Sequence, residues 1–147
     1  MIRFAIRGPV LLDSRAAEFD AHLEVGFEVL FSIRDSQGVV FDEEHFSALE
    51  FALAVVRWCP SGVAPGEDFE FISVDSEDIG LVWFRRDAED ASRWRVGSVW
   101  FPSRVSESLS WDELYRAFVS LCDEIEAVAP ERVRSRLRRL FSVAARG

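Results

Sequence analysis

Residues 23–33 constrain this chain more than any other stretch. Leu23, Val25, Phe27, Val29, Phe31 and Ile33 are apolar, and Glu24, Glu28, Ser32 and Arg34 fall between or beside them. A repeat of two marks a strand with one dry face and one wet face. The alternation predicts a long strand over 22–34 whose apolar side must be covered by another layer. Two later segments with helical apolar stripes can supply that layer, so the expected class is α+β.

The rest of the chain divides around this strand. Phe4 and Ile6 share one face of a short first strand over 3–7, which Gly8-Pro9 interrupts. Asp35-Ser36-Gln37-Gly38 has the composition of a tight turn, and Val39-Val40-Phe41 starts the return strand of a hairpin. Asp42-Glu43-Glu44 reads as a helix N-terminus, because carboxylates suit the positive end of the helix dipole. Phe46, Leu49, Leu53 and Val56 then fall on one helical face, and the helix is expected to stop before Pro60.

Three more strands are predicted over 69–74, 79–86 and 94–101, joined by polar turns. Ser110-Trp111-Asp112-Glu113 is a capping box, followed by the stripe Leu114, Phe118, Leu121, Cys122, Ile125 and Val128. Pro130 suits the first turn of a last helix over 131–146. Val133, Leu137, Leu140, Phe141 and Ala144 share one face of that helix, and arginines fill the others. The expected order is β-β-β-α-β-β-β-α-α: one antiparallel sheet of about six strands with helices packed on one face.

With 147 residues, one α+β domain spanning 1–147 is expected. Thirteen Phe and five Trp among 49% apolar residues support a packed core. No apolar run reaches the roughly 18 residues of a transmembrane helix, and the first residues lack the apolar stretch of a signal peptide. A cytoplasmic location follows as the simplest expectation. Cys59 and Cys122 lie far apart in helical apolar patterns and are expected as buried thiols rather than a disulfide.

Charge is unevenly spread. All 17 basic residues are arginine, and the net charge is −9. Residues 131–147 carry six arginines against the single acid Glu131, a net +5, which leaves −14 on residues 1–130. Such a body repels nucleic acid and attracts a basic partner. The densest acidic run is Glu67, Asp68, Glu70, Asp75, Glu77 and Asp78, six carboxylates in twelve residues with no basic residue among them. These six are the candidate partner-binding residues. A solvated loop face accounts for the run equally well.

Catalytic and cofactor chemistry find little support. Asp42-Glu43-Glu44-His45 is the nearest approach to a metal or acid–base cluster, but it lacks HExxH spacing, and His22 stands apart from it. There is no G-x-S-x-G, G-x-G-x-x-G or Walker loop, so neither an enzyme nor a bound cofactor or metal is expected. Arg132, Arg134, Arg136, Arg138 and Arg139 offer an alternative, a regulatory or scaffold domain whose last helix meets nucleic acid or an anionic membrane. A small-molecule pocket between sheet and helices, in a binding protein or an unrecognised enzyme, is a second alternative.

Three motifs carry a resemblance. They are Gly66-Glu67-Asp68-Phe69-Glu70-Phe71, Gly80-Leu81-Val82-Trp83-Phe84-Arg85-Arg86 and Trp94-Arg95-Val96-Gly97-Ser98-Val99-Trp100. Together they resemble a family of small uncharacterised bacterial proteins over residues 20–130. In size, acidity and layout the chain also resembles the immunity proteins of bacterial toxin systems. That second resemblance implies a non-catalytic inhibitor that neutralises a basic toxin or effector through an acidic surface.

Overall fold

The computed structural model describes residues 1–12, 20–74 and 76–146. Two antiparallel sheets and four helices make up the described fold. The first sheet is the meander β1 (Arg3–Leu12), β2 (Phe27–Asp35) and β3 (Gly38–Phe46). The second runs in sequence order through β4 (Phe69–Glu70), β5 (Trp83–Arg86), β6 (Arg93–Gly97) and β7 (Leu109–Ser110). Helix α2 (Ala48–Trp58) lies between the sheets in sequence, and α3 (Trp111–Val128) and α4 (Glu131–Ala145) follow the second sheet.

The mixed α+β class is as the sequence predicts, and so is the β2–β3 hairpin. In β2 the inward set Phe27, Val29, Phe31 and Ile33 is completely buried. The turn is closed by the Gln37 amide donating to Asp35 Oδ1 at 2.9 Å. The predicted strand, however, begins too early: residues 20–26 form a short helix, α1 (Asp20–Gly26), ahead of β2. Leu23 and Phe27 are four apart, a spacing that keeps both on one face of a strand and of a helix alike. The period-two pattern therefore could not place the boundary.

The expected helix start at Asp42-Glu43-Glu44 is also corrected. These residues continue β3, with Ser32 opposite Asp42 and Phe31 opposite Glu43, and α2 begins only at Ala48. Backbone pairing along β2 outweighs the weak dipole preference of three carboxylates. Acidic residues on a sheet-edge strand also discourage further pairing. Phe46 thus belongs to the sheet, where its ring stacks on Phe31 at 4.3 Å.

The single six-stranded sheet becomes two because the middle strands are shorter than predicted. Beyond Glu70 the chain makes isolated bonds instead of a ladder: the Phe71 amide donates to Val82 O at 2.8 Å, and the Phe71 carbonyl accepts from Gly80 and Leu81. Gly80 has φ +83°, a backbone state that favours glycine and permits this tight return.

Helix α2 is the centre of the core. Ala48, Leu49, Phe51, Ala52, Leu53 and Val55 are all buried. Phe51 stands within 5.3–6.2 Å, ring centre to ring centre, of Phe4 and Phe31 in the first sheet and of Phe71 near the second. Helix α3 starts at its capping box, with the Glu113 amide donating to Ser110 Oγ at 3.1 Å and the Ser110 amide donating to Glu113 Oε2 at 3.0 Å. Its predicted stripe packs inward, as does the Val133, Leu137 and Ala144 face of α4. Trp58 and Trp111 close the rim of this core, their rings 5.7 Å apart. Cys59 and Cys122 are free thiols, and burial pushes them up to about 11 and about 12 respectively.

Replacing Phe51 with alanine should remove the shared ring and cost about 3–5 kcal/mol in urea unfolding, against about 1 kcal/mol for Ser110→Ala, which loses only a cap.

Candidate functional site

One end of the molecule exposes apolar side chains beside carboxylates. Although the predicted 69–74 strand is a ladder only over Phe69–Glu70, its side chains alternate: Phe69, Phe71 and Ser73 turn inward and Glu70, Ile72 and Val74 outward. With almost no ladder to join, Ile72 and Val74 are left in solvent at 54% and 73% exposure. Ile79 is exposed just before the Gly80 return. The return brings Val99 alongside, its amide donating to Gly80 O at 3.1 Å. Exposed Trp100 and Phe101 follow, resting against buried Phe41 at 6.3 and 5.6 Å. Trp100 Nε1 donates to Asp78 Oδ2 at 2.7 Å, which ties the two loops together.

The six candidate carboxylates are placed differently from one another. Asp68 Oδ1 accepts the Arg86 amide at 3.0 Å, and Glu70 pairs with Arg85 at 2.9 Å. Arg85 in turn lies 4.2 Å over the Trp83 ring. Glu67 is exposed, and its carbonyl accepts from Trp58 Nε1. Glu77 and Asp78 lie on the loop at the apolar end, and Asp75 falls outside the described residues. Asp68 and Glu70 thus meet the arginine-bearing strand β5, whereas Glu77 and Asp78 border the exposed apolar group.

The structure adds carboxylates to that border from β2 and β3. Glu28, Glu43 and His45 line a cavity of about 180 Å³ with Ser76 and Trp100, over a floor that includes Phe46 and Phe71. His45 Nδ1 lies 3.2 Å from Glu28 Oε1. Asp42 and Glu44 continue the acidic edge beside Leu30. Among the described residues, Asp42, Glu43, Glu44, Glu77 and Asp78 form no ion pair, in contrast to Asp20, Glu24, Asp35, Glu70, Asp87 and Glu126. The 42–45 acidic cluster was visible in the sequence, but Glu28 meets it only through the β2–β3 register, which no local signal marks. Trp100 and Phe101 read as strand residues and prove to be exposed loop residues.

The loop carrying Trp100 is anchored to the β2–β3 turn. The Asp35 carboxyl, wholly buried, receives the Glu107 amide at 2.8 Å and the Arg104 guanidinium. Burial alone would raise its pKa, but the amides of Glu107 and Gln37, with Arg104, hold it below the ordinary carboxylate value.

The arginines of α4 are largely engaged within the fold. Arg134 donates to the Glu126 and Ala129 carbonyls at the end of α3. Arg136 and Arg139 grip Asp20 at 2.9 and 3.1 Å, and Arg138 pairs with Glu126. Among the described residues no group of three or more His, Cys, Asp or Glu side chains is placed to hold a metal ion, and no helix is long and apolar enough to cross a membrane.

The fold is therefore an α+β domain of two antiparallel sheets with an acid-bordered apolar end. Residues 11–128 match the family described as domain of unknown function DUF7878, and the chain belongs to that family. No curated protein and no solved structure matches the chain significantly. The matched span ends with α3, so the arginine-rich helix α4 lies beyond it.

Because the folded Asp35 carboxylate is held below its unfolded value, the stability it contributes is complete above about pH 4 and is lost as pH falls through the folded value. Asp35→Asn should cost about 1–3 kcal/mol at neutral pH by leaving buried donors poorly matched. In urea titrations at several pH values, the gap between variant and wild type should close below about pH 4.

Proposed function

We propose that this domain is a non-catalytic protein-binding module that neutralises a basic protein, a toxin or effector domain, in the manner of an immunity protein. One observation carries the reading: Glu43 and Asp78, which form no ion pair among the described residues, meet the exposed Trp100 across the cavity and through its indole N–H, and the same loops expose Ile72, Val74, Ile79 and Phe101. Isolated exposed apolar residues are ordinary, but a contiguous group rimmed by polar residues marks an interaction site. Tryptophan is enriched among the residues that dominate binding energy.

The charge supports a basic partner. A chain of net charge −9, whose acids on β3 and at 77–78 form no ion pair among the described residues, draws a cationic surface toward it and mainly raises the association rate. Of the earlier candidate residues, Glu77 and Asp78 belong to this surface, whereas Asp68 and Glu70 are engaged by β5 and Glu67 is exposed beside them. The alternative based on α4 has less to work with, since Arg134, Arg136, Arg138 and Arg139 bind groups of the same chain.

The test begins with affinity capture from the native lysate, with low-salt and then high-salt washes, and continues with the purified partner by surface plasmon resonance. A basic protein should be retained and released as salt rises. Trp100→Ala or Ile79→Asp should weaken its binding by about thirtyfold or more, mostly through faster dissociation. Glu77→Arg with Asp78→Arg should chiefly slow association and flatten its salt dependence. Unchanged affinity in both apolar variants would show that the partner binds elsewhere.

A further inference from the structure

A cavity lies between β3 and the residues Phe71, Ser73 and Ser76, with Trp100 in its wall. Its volume of about 180 Å³ lies below the roughly 300–1,000 Å³ of pockets that enclose whole small-molecule ligands. Carboxylates of Glu28 and Glu43 line it on one side, and Phe46, Phe71 and Trp100 supply aromatic surface. We infer that this cavity receives the guanidinium of an arginine side chain presented by the basic partner. The inference rests on the protein-binding reading and names the group that the surface would recognise.

The argument for arginine is geometric as well as electrostatic. A guanidinium is polar around its edge and weakly hydrated on its faces, so it suits a space bounded partly by carboxylates and partly by aromatic rings. A lysine ammonium is compact and strongly hydrated, and gives up more hydration for the same wall. Glu28 holds His45 Nδ1 at 3.2 Å through Oε1, and Glu43 Oε1 accepts the His45 amide at 3.3 Å. Each contact engages a single oxygen of its carboxylate, so each side chain retains capacity to accept from a guanidinium edge. The Glu28 side chain is only 21% exposed, so its attraction for a cation is screened less than that of a fully exposed carboxylate. Within the chain, Arg85 over Trp83 and against Glu70 already shows the same combination of ring face and carboxylate.

The first measurement needs no partner, and the partner's affinity for the apolar variants then separates the socket from the surface. N-acetyl-arginine-N-methylamide is titrated into the ¹⁵N-labelled protein, with the citrulline compound as an uncharged control of similar shape and the lysine compound as the rival cation. The Trp100 indole N–H and the His45 and Phe71 amides should move together, with a dissociation constant on the order of 1 mM for arginine. The lysine compound should bind severalfold more weakly, and the citrulline compound at least about tenfold more weakly. Glu43→Gln, a change at a partly exposed side chain, should weaken arginine binding by about tenfold while leaving the rest of the spectrum in place. Equal shifts from citrulline, or shifts confined to other acidic residues, would overturn the socket. A silent titration combined with loss of the partner in Ile79→Asp would overturn the socket alone. Unchanged partner affinity in Ile79→Asp and Trp100→Ala would overturn the surface itself.

Discussion

The packing of Phe51 is the contact on which the architecture depends. Neither sheet is large: one has three strands, and two of the four strands in the other are only two residues long. Small sheets need apolar cover, and here both find it on the same ring. Phe51 touches Phe4, Phe31 and Phe46 on one side, and Phe69, Phe71 and Phe84 on the other. Phe4 and Phe84 also meet directly, at 6.0 Å. Interiors are close-packed, so a ring shared by two layers fixes their separation as well as contributing buried area. Gly97 shows how tight the packing is at the second sheet, where an added Cβ would lie 2.2 Å from the Trp83 ring.

The exposed end follows from this arrangement. Once Phe69 and Phe71 are drawn into the core, alternation forces Ile72 and Val74 outward, and the chain has too little ladder left to cover them. The Gly80 return and the Asp35 anchor to Arg104 and Glu107 then bring residues 99–101 alongside. The surface is thus built from loops held by hydrogen bonds and an ion pair to the strands, an arrangement suited to recognition on a fixed scaffold.

Charge is organised to the same effect. Asp20 collects Arg136 and Arg139, Glu126 takes Arg138, and Arg134 satisfies carbonyls at the end of α3. The arginine-rich helix is therefore bound to its own domain at the far end of the sequence. The carboxylates of β3 and of the 77–78 loop keep no such partner among the described residues. The uneven charge of the sequence is resolved into a region neutralised within the fold and one that forms no ion pairs among the described residues.

Some of this was determined by the sequence alone, because the forces are local. The capping box at Ser110 and Glu113, the stripes of α3 and α4, the turn at 35–38 and the buried face of β2 each depend on residues within a few positions of one another. Tertiary structure decided the rest. Leu23 and Phe27 suit strand and helix equally, so only packing could begin β2 at Phe27. Asp42-Glu43-Glu44 carried a helix-start preference worth less than the backbone bonds offered by β2. The division into two sheets turned on where the 71–82 segment stopped pairing. Glu28 reached His45 and Glu43 through strand register, and Trp100 reached Asp78 through a return at Gly80. Contacts between residues far apart in sequence leave no periodic trace in it, and for that reason the candidate surface was visible only in the folded chain.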